Sequence, residues 1–183
     1  LCAAATVLLG GCSTFGFGSS NNDDDNVPTV VKKKADYGQA YKDYVELGAQ
    51  YLQMGRYDLA EPKLQRAIEI DSHPPEAWNI LAVLYEEKRD IASGNQVYQK
   101  LIHSHPEYLL GYTNYATFLC KFDRDSEMQA LLGQMRGRNA EFKAAAGIAE
   151  GNCMQRRGQS GTAENAYKQA LAANPQAEGA LLP

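Results

Sequence analysis

The chain has 183 residues, 44% apolar and 22% charged, with a net charge of −4. No apolar run reaches the roughly 18 residues of a membrane span, and the composition excludes a polytopic membrane protein, a collagen-like repeat and a disulfide-dense mini-protein. With 18 Lys and Arg against 22 Asp and Glu and no basic stripe, a phosphate backbone finds no attractive surface, so a nucleic-acid partner is not expected.

Taken in chain order, Leu1 to Gly11 reads LCAAATVLLGG, small and apolar, as in the core of a secretory signal. Residues 1–11 are therefore read as a signal remnant that has lost its start Met and basic leader. The run ends in Leu9-Gly10-Gly11-Cys12, which resembles a bacterial lipobox. That resemblance implies lipidation of Cys12, with each buried CH₂ of the acyl chains worth about 0.8 kcal/mol of membrane affinity. Ser13 rather than Asp after the Cys implies sorting to the outer membrane, on its periplasmic face. Residues 12–36, STFGFGSSNNDDDNVPTVVKKKAD after the Cys, lack helical periodicity and read as a tether. Asp23 to Asp25 and Lys32 to Lys34 are solvated charge runs, without the spaced oxygens and turn glycine of a calcium loop.

From residue 37 to 183 the sequence repeats itself. Aligning aromatic, small and Pro positions starts repeats at Tyr41, Pro75, Leu109 and Ala144, with spacings of 34, 34 and 35 residues. Repeats are expected at about 41–74, 75–108, 109–143 and 144–177. The first carries Tyr44, Leu47, Gly48, Tyr51, Gly55, Ala60, Leu64 and Ala67; the second Trp78, Leu81, Ala82, Tyr85, Tyr98 and Pro106; the third Tyr112, Tyr115, Ala116 and Leu119; the fourth Gly151, Gly158, Ala163, Tyr167, Ala170 and Pro175. Apolar residues recur at i, i+3 or i+4 and i+7, which predicts two helices per repeat. Gly55 and Gly158 fall where the first helix must turn, and Gly48, Ala82, Ala116 and Gly151 allow close helix approach. Pro62 is expected in a first helical turn beginning near Asp58, where its missing N–H does no harm. The pattern resembles the tetratricopeptide repeat, implying an all-α solenoid of helix-turn-helix pairs whose core lies between repeats. In such a solenoid positions 2, 5, 9, 12 and 13 of each first helix line the inner face. Here these include Lys42, Val45, Ala49, Leu52 and Gln53 in repeat one, Glu76, Asn79, Val83, Glu86 and Glu87 in repeat two, and Ala145, Ile148, Asn152, Gln155 and Arg156 in repeat four.

No metalloprotease, hydrolase or nucleotide-binding fingerprint is present, so no enzymatic activity, cofactor or metal is expected. His103-Ser104-His105 is an i, i+2 pair whose side chains diverge on a helix, and Glu86-Glu87 likewise face apart. Of four cysteines, Cys2 belongs to the signal and Cys12 to the lipid. Cys120 and Cys153 fall late in the first helices of consecutive repeats, in an oxidising compartment; they either pair and staple repeat three to repeat four, or stay two buried thiols.

The lipobox at Cys12, the opening Tyr41-x₂-Tyr44-x₂-Leu47-Gly48-x₂-Tyr51, the stretch Asn114-Tyr115-Ala116-x-Phe118-Leu119-Cys120 and Gly151-Asn152-Cys153 together resemble the lipidated tetratricopeptide pilotins of type IV pili. Ala116 stands where members carry Gly, and members continue into further repeats. The resemblance implies a monomeric, lipid-anchored scaffold that binds the pilus secretin and promotes its outer-membrane placement and multimerisation, in pilus biogenesis and twitching motility. Val45, Ala49, Leu52, Gln53, Asn79, Val83 and Glu86 are the candidate partner-binding residues. An adaptor for cell-wall enzymes or outer-membrane assembly factors is the alternative that the same anchor and solenoid allow.

Overall fold

The computed structural model describes residues 36–177. The signal remnant, Cys12, most of the tether and residues 178–183 lie outside the described residues. Those described form eight helices: α1 (Tyr37–Gln53), α2 (Tyr57–Ile70), α3 (Pro75–Glu87), α4 (Ile91–Ser104), α5 (Leu109–Lys121), α6 (Asp125–Arg136), α7 (Ala140–Arg156) and α8 (Ser160–Ala173). No described helix is long and apolar enough to cross a membrane.

The helix boundaries have local causes. The Asp36 side chain accepts a hydrogen bond from the Gln39 N–H at the start of α1, Asp90 from Ser93 at α4, and Asn139 from Phe142 at α7, each satisfying an otherwise orphaned donor. Pro75 opens α3 at its first position, where the ring is preorganised for the helix. Pro62 corrects the expectation above. Because α2 begins at Tyr57, Pro62 is its sixth residue, inside the helix, and the Asp58 carbonyl loses the N–H it would otherwise accept. Both residues are exposed, so that carbonyl is open to solvent.

Each first helix ends in the same way. Gly55, Arg89, Asp123 and Gly158 have φ of 69°, 56°, 55° and 74°. The next residue's N–H closes back five residues: Arg56 to Tyr51, Asp90 to Tyr85, Arg124 to Leu119 and Gln159 to Met154, at 2.8 to 2.9 Å. This is a left-handed helix stop, and its recurrence fixes the antiparallel return of every pair.

Neighbouring helices pack in sequence, and α1, α3, α5 and α7 also contact one another in a row, so the first helices form one continuous wall. A large core cluster runs from Ala82 and Tyr98 through Tyr115, Phe118, Leu119 and Leu132 to Phe142 and Ala146. Smaller clusters sit under α1 to α3, around Leu64 and Leu84 and around Tyr41 and Ala67, and between α7 and α8 around Ala144 and Tyr167. Gly48, Ala82, Ala116 and Gly151 are all buried. At Gly151 a Cβ would lie 2.3 Å from the Tyr167 ring, so only glycine admits that ring.

Candidate functional site: the wall of first helices

The wall is tied together by bonds spanning one repeat period. The Asn114 amide donates to Asn79 Oδ1 at 3.0 Å, Lys121 Nζ donates to Glu86 at 3.0 Å and to Glu87 at 3.1 Å, and the Arg157 guanidinium meets Asp123 at 3.2 Å and Asp125 at 2.7 Å. Cys120 and Cys153 are joined in a disulfide with Cα atoms 5.9 Å apart, linking the ends of α5 and α7. In addition, Arg136 pairs with Glu150, and Arg138 reaches Glu107, the Pro106 carbonyl and the Tyr112 hydroxyl.

These bonds sort the candidate partner-binding residues. Asn79 and Glu86 are buried; Glu86 also accepts from the Tyr98 hydroxyl at 3.4 Å. Burial is the leading cause that pushes the Tyr98 phenol far above its ordinary value, with the Glu86 charge adding to it. The two residues are occupied as cross-repeat struts, with little side chain left to offer a partner. Val83, Ala49 and Leu52 are half-buried and Gln53 is exposed. Leu52 packs against the cluster that holds Leu64 and Leu81, so it carries core load. Val45 is half-buried against the Tyr41, Ala67 and Ala77 cluster.

A cleft of about 520 Å³ opens at the first-repeat end of the wall, lined by Gly38, Tyr41, Lys42, Val45, Glu46, Asp71, Pro74 and Glu76. Its walls are mostly apolar, with Tyr41, Val45 and Pro74 as floor. The Tyr41 hydroxyl bridges the two repeats: it approaches Glu76 at 3.5 Å, and the Ala77 N–H approaches it at 3.4 Å. Burial first, then the neighbouring Glu76 and Asp71 charges, push the Tyr41 phenol up to about 12, against the lowering effect of the Ala77 N–H. Sequence register found Lys42, Val45 and Glu76 here. Tyr41 sits one position outside the 2, 5, 9 register, and Asp71 and Pro74 lie in the link between repeats. Leu110 of α5, at position 2 of repeat three, is an exposed apolar side chain outside this cleft, 51% exposed. Among the described residues no group of three or more His, Cys, Asp or Glu side chains comes together to hold a metal ion.

The chain is an all-α tetratricopeptide-repeat solenoid, with eight paired helices among its described residues, a 34-residue period and a ladder of cross-repeat bonds, and it matches the tetratricopeptide repeat family over residues 45–108. It is homologous to the type IV pilus assembly protein PilF of Pseudomonas aeruginosa, with 31% identity over 121 residues, 66% of this chain and 44% of the relative. The chain thus spans less than half the length of that curated relative. A solved structure of Pseudomonas aeruginosa PilF shares the fold at TM-score 0.60 and 23% identity, covering 77% of this chain and 64% of that one. PilW, described as a widely conserved type IV pilus biogenesis factor, does so at TM-score 0.59 and 24% identity, covering 78% and 66%.

Proposed function

We propose that the chain is an outer-membrane lipoprotein scaffold of type IV pilus biogenesis, anchored through Cys12, that binds the pilus secretin and promotes its placement and multimerisation. The observation that carries this reading is the homology to a type IV pilus assembly protein. A solenoid wall with an apolar cleft at one end adds a means of holding a partner segment without covalent chemistry. The chain acts on this reading as a non-enzymatic scaffold.

The test is a deletion strain complemented with wild-type or Val45→Asp protein. Loss of heat-resistant secretin multimers in the deletion, restored by wild type and not by the variant, is the expected result. Normal multimers at normal outer-membrane levels in the deletion would overturn the reading. Cys12→Ala should release the protein from membranes, and retention would point to a different anchor.

A further inference from the structure

Among the described residues, several carboxylates that face a neighbouring helix pair are met by a cation. Glu61 is met by Lys88, Glu86 by Lys121, Glu107 by Arg138, Asp123 by Arg157 and Glu150 by Arg136. The cleft at the first repeat is different. Glu46, Asp71 and Glu76 line it together with one cation, Lys42, a formal net charge of −2. Among the described residues no Lys or Arg pairs with any of the three carboxylates: Glu46 accepts only from the Gln50 amide, Asp71 from His73, and Glu76 from the Tyr41 hydroxyl. Between them lies the apolar floor of Tyr41, Val45 and Pro74.

An apolar floor that is buried at Tyr41 and half-buried at Val45 and Pro74 gains free energy when a side chain covers it, and acidic side chains around it that no lysine or arginine meets favour positive charge and repel negative charge. Resting on the docking role proposed above, we propose that the cleft takes a partner segment that seats an apolar side chain on Tyr41, Val45 and Pro74 and presents lysine or arginine to Glu46, Asp71 and Glu76. The floor supplies the affinity. The rim supplies selection, steering basic segments in and turning acidic ones away.

The test uses the full chain and two fluorescein-labelled synthetic peptides, one with two leucines followed by three lysines in a Gly-Ser background, the other with glutamates replacing the lysines. Fluorescence anisotropy should show the lysine peptide binding at least about tenfold more tightly, with the ratio shrinking as salt rises from about 0.05 to 0.5 M. Glu46→Gln and Glu76→Gln each weaken it about two- to fivefold. Glu141→Gln, which removes the same charge from an exposed site on α7, leaves it unchanged. Val45→Asp abolishes binding of the leucines, checked against unchanged circular dichroism.

Equal binding of the two peptides, or an equal loss in Glu141→Gln, would overturn the proposal, since the attraction would then be absent or diffuse. Tighter binding after replacing Lys32, Lys33 and Lys34 by Ser would also overturn it by making this chain's own basic run the occupant; concentration-dependent dimerisation blocked by Val45→Asp would assign the cleft to a second copy. The two readings fail separately. Peptide selectivity with normal secretin multimers in the deletion strain removes the pilus role alone, and complementation lost in Val45→Asp but without peptide selectivity removes the charge rule alone.

Discussion

The middle of the solenoid and its last helix pair solve one packing problem by opposite means. Where α4, α5 and α6 meet, large rings fill the space. Tyr98 stacks on Tyr115 with centroids 5.3 Å apart, and Phe118 lies 5.3 Å from Tyr98 and 4.9 Å from Phe122. In the α7 and α8 pair the contact is built by removing side chains: Ala144, Gly147 and Gly151 face Ala163, Ala166, Tyr167 and Ala170, all buried. A Cβ on Gly147 would come within 2.9 Å of the Ala166 carbonyl. Backbones therefore approach closely in one region and are held apart by rings in the other. The same supersecondary unit is sensitive to lost volume in the first region and to added volume in the second.

The sharpest way to break this comparison is Phe118→Ala. Its side chain is fully buried, and its loss should cost about 3–5 kcal/mol in urea unfolding; a cost under about 1 kcal/mol would mean that the ring cluster collapses freely and does not set the spacing. Gly151→Ala, which adds a single methyl group, should cost about 1–3 kcal/mol by overpacking, and Tyr167→Leu in the same chain should return part of it. If the double variant is no more stable than Gly151→Ala alone, the ring is not what limits the seam.

Two smaller effects compare the turns and the outer ion pairs. Arg89 adopts a left-handed backbone without being glycine, so Arg89→Gly should stabilise by up to about 1 kcal/mol, whereas the glycines already at Gly55 and Gly158 leave nothing to gain. An unchanged or lower melting temperature would show that the Arg89 backbone carries no such cost. The smallest effect is acidic. Burial raises the Glu61 pKa, but hydrogen bonds from Lys88 at 2.6 Å and the Tyr85 hydroxyl at 2.8 Å outweigh it and hold the carboxyl below its ordinary 4.5. A lowered folded value contributes stability above pH 4.5 that is lost as pH falls through the folded value. Glu61→Gln should therefore flatten the fall of melting temperature on acidification below that point, and a parallel curve would show the pair contributes nothing.

Much of this architecture was legible in the residues. The 34-residue period, the helix pairs and the small positions follow from spacing alone, because helix packing leaves a mark in every repeat. The turns were half legible: Gly55 and Gly158 announce a left-handed residue, whereas Arg89 and Asp123 adopt the same backbone with side chains that carry no such signature. The additional N-terminal turns of α1 and α7 were missed because repeats were framed on their aromatic and small residues, although Asp36 and Asn139 are ordinary cap residues. Register assigned Asn79 and Glu86 to the inner wall, yet their burial depends on Asn114 and Lys121, one repeat away, and no local pattern encodes such a neighbour. Asp71 and Pro74 reach the cleft by the path of the link between repeats, which periodicity does not describe, and Tyr41 lies on α1 one position outside the inner-face register.

The disulfide between Cys120 and Cys153 has a mechanical meaning if the chain is pulled from its two ends. Pulling on the two termini loads the bond in place of the chain between the cysteines, a sequence separation of 33, and at about 3.4 Å per extended residue that shelters roughly 110 Å of contour length from force. Under tension α6 and the length of α7 up to Cys153 would ride as an unloaded loop, released only when a thiol opens the bond.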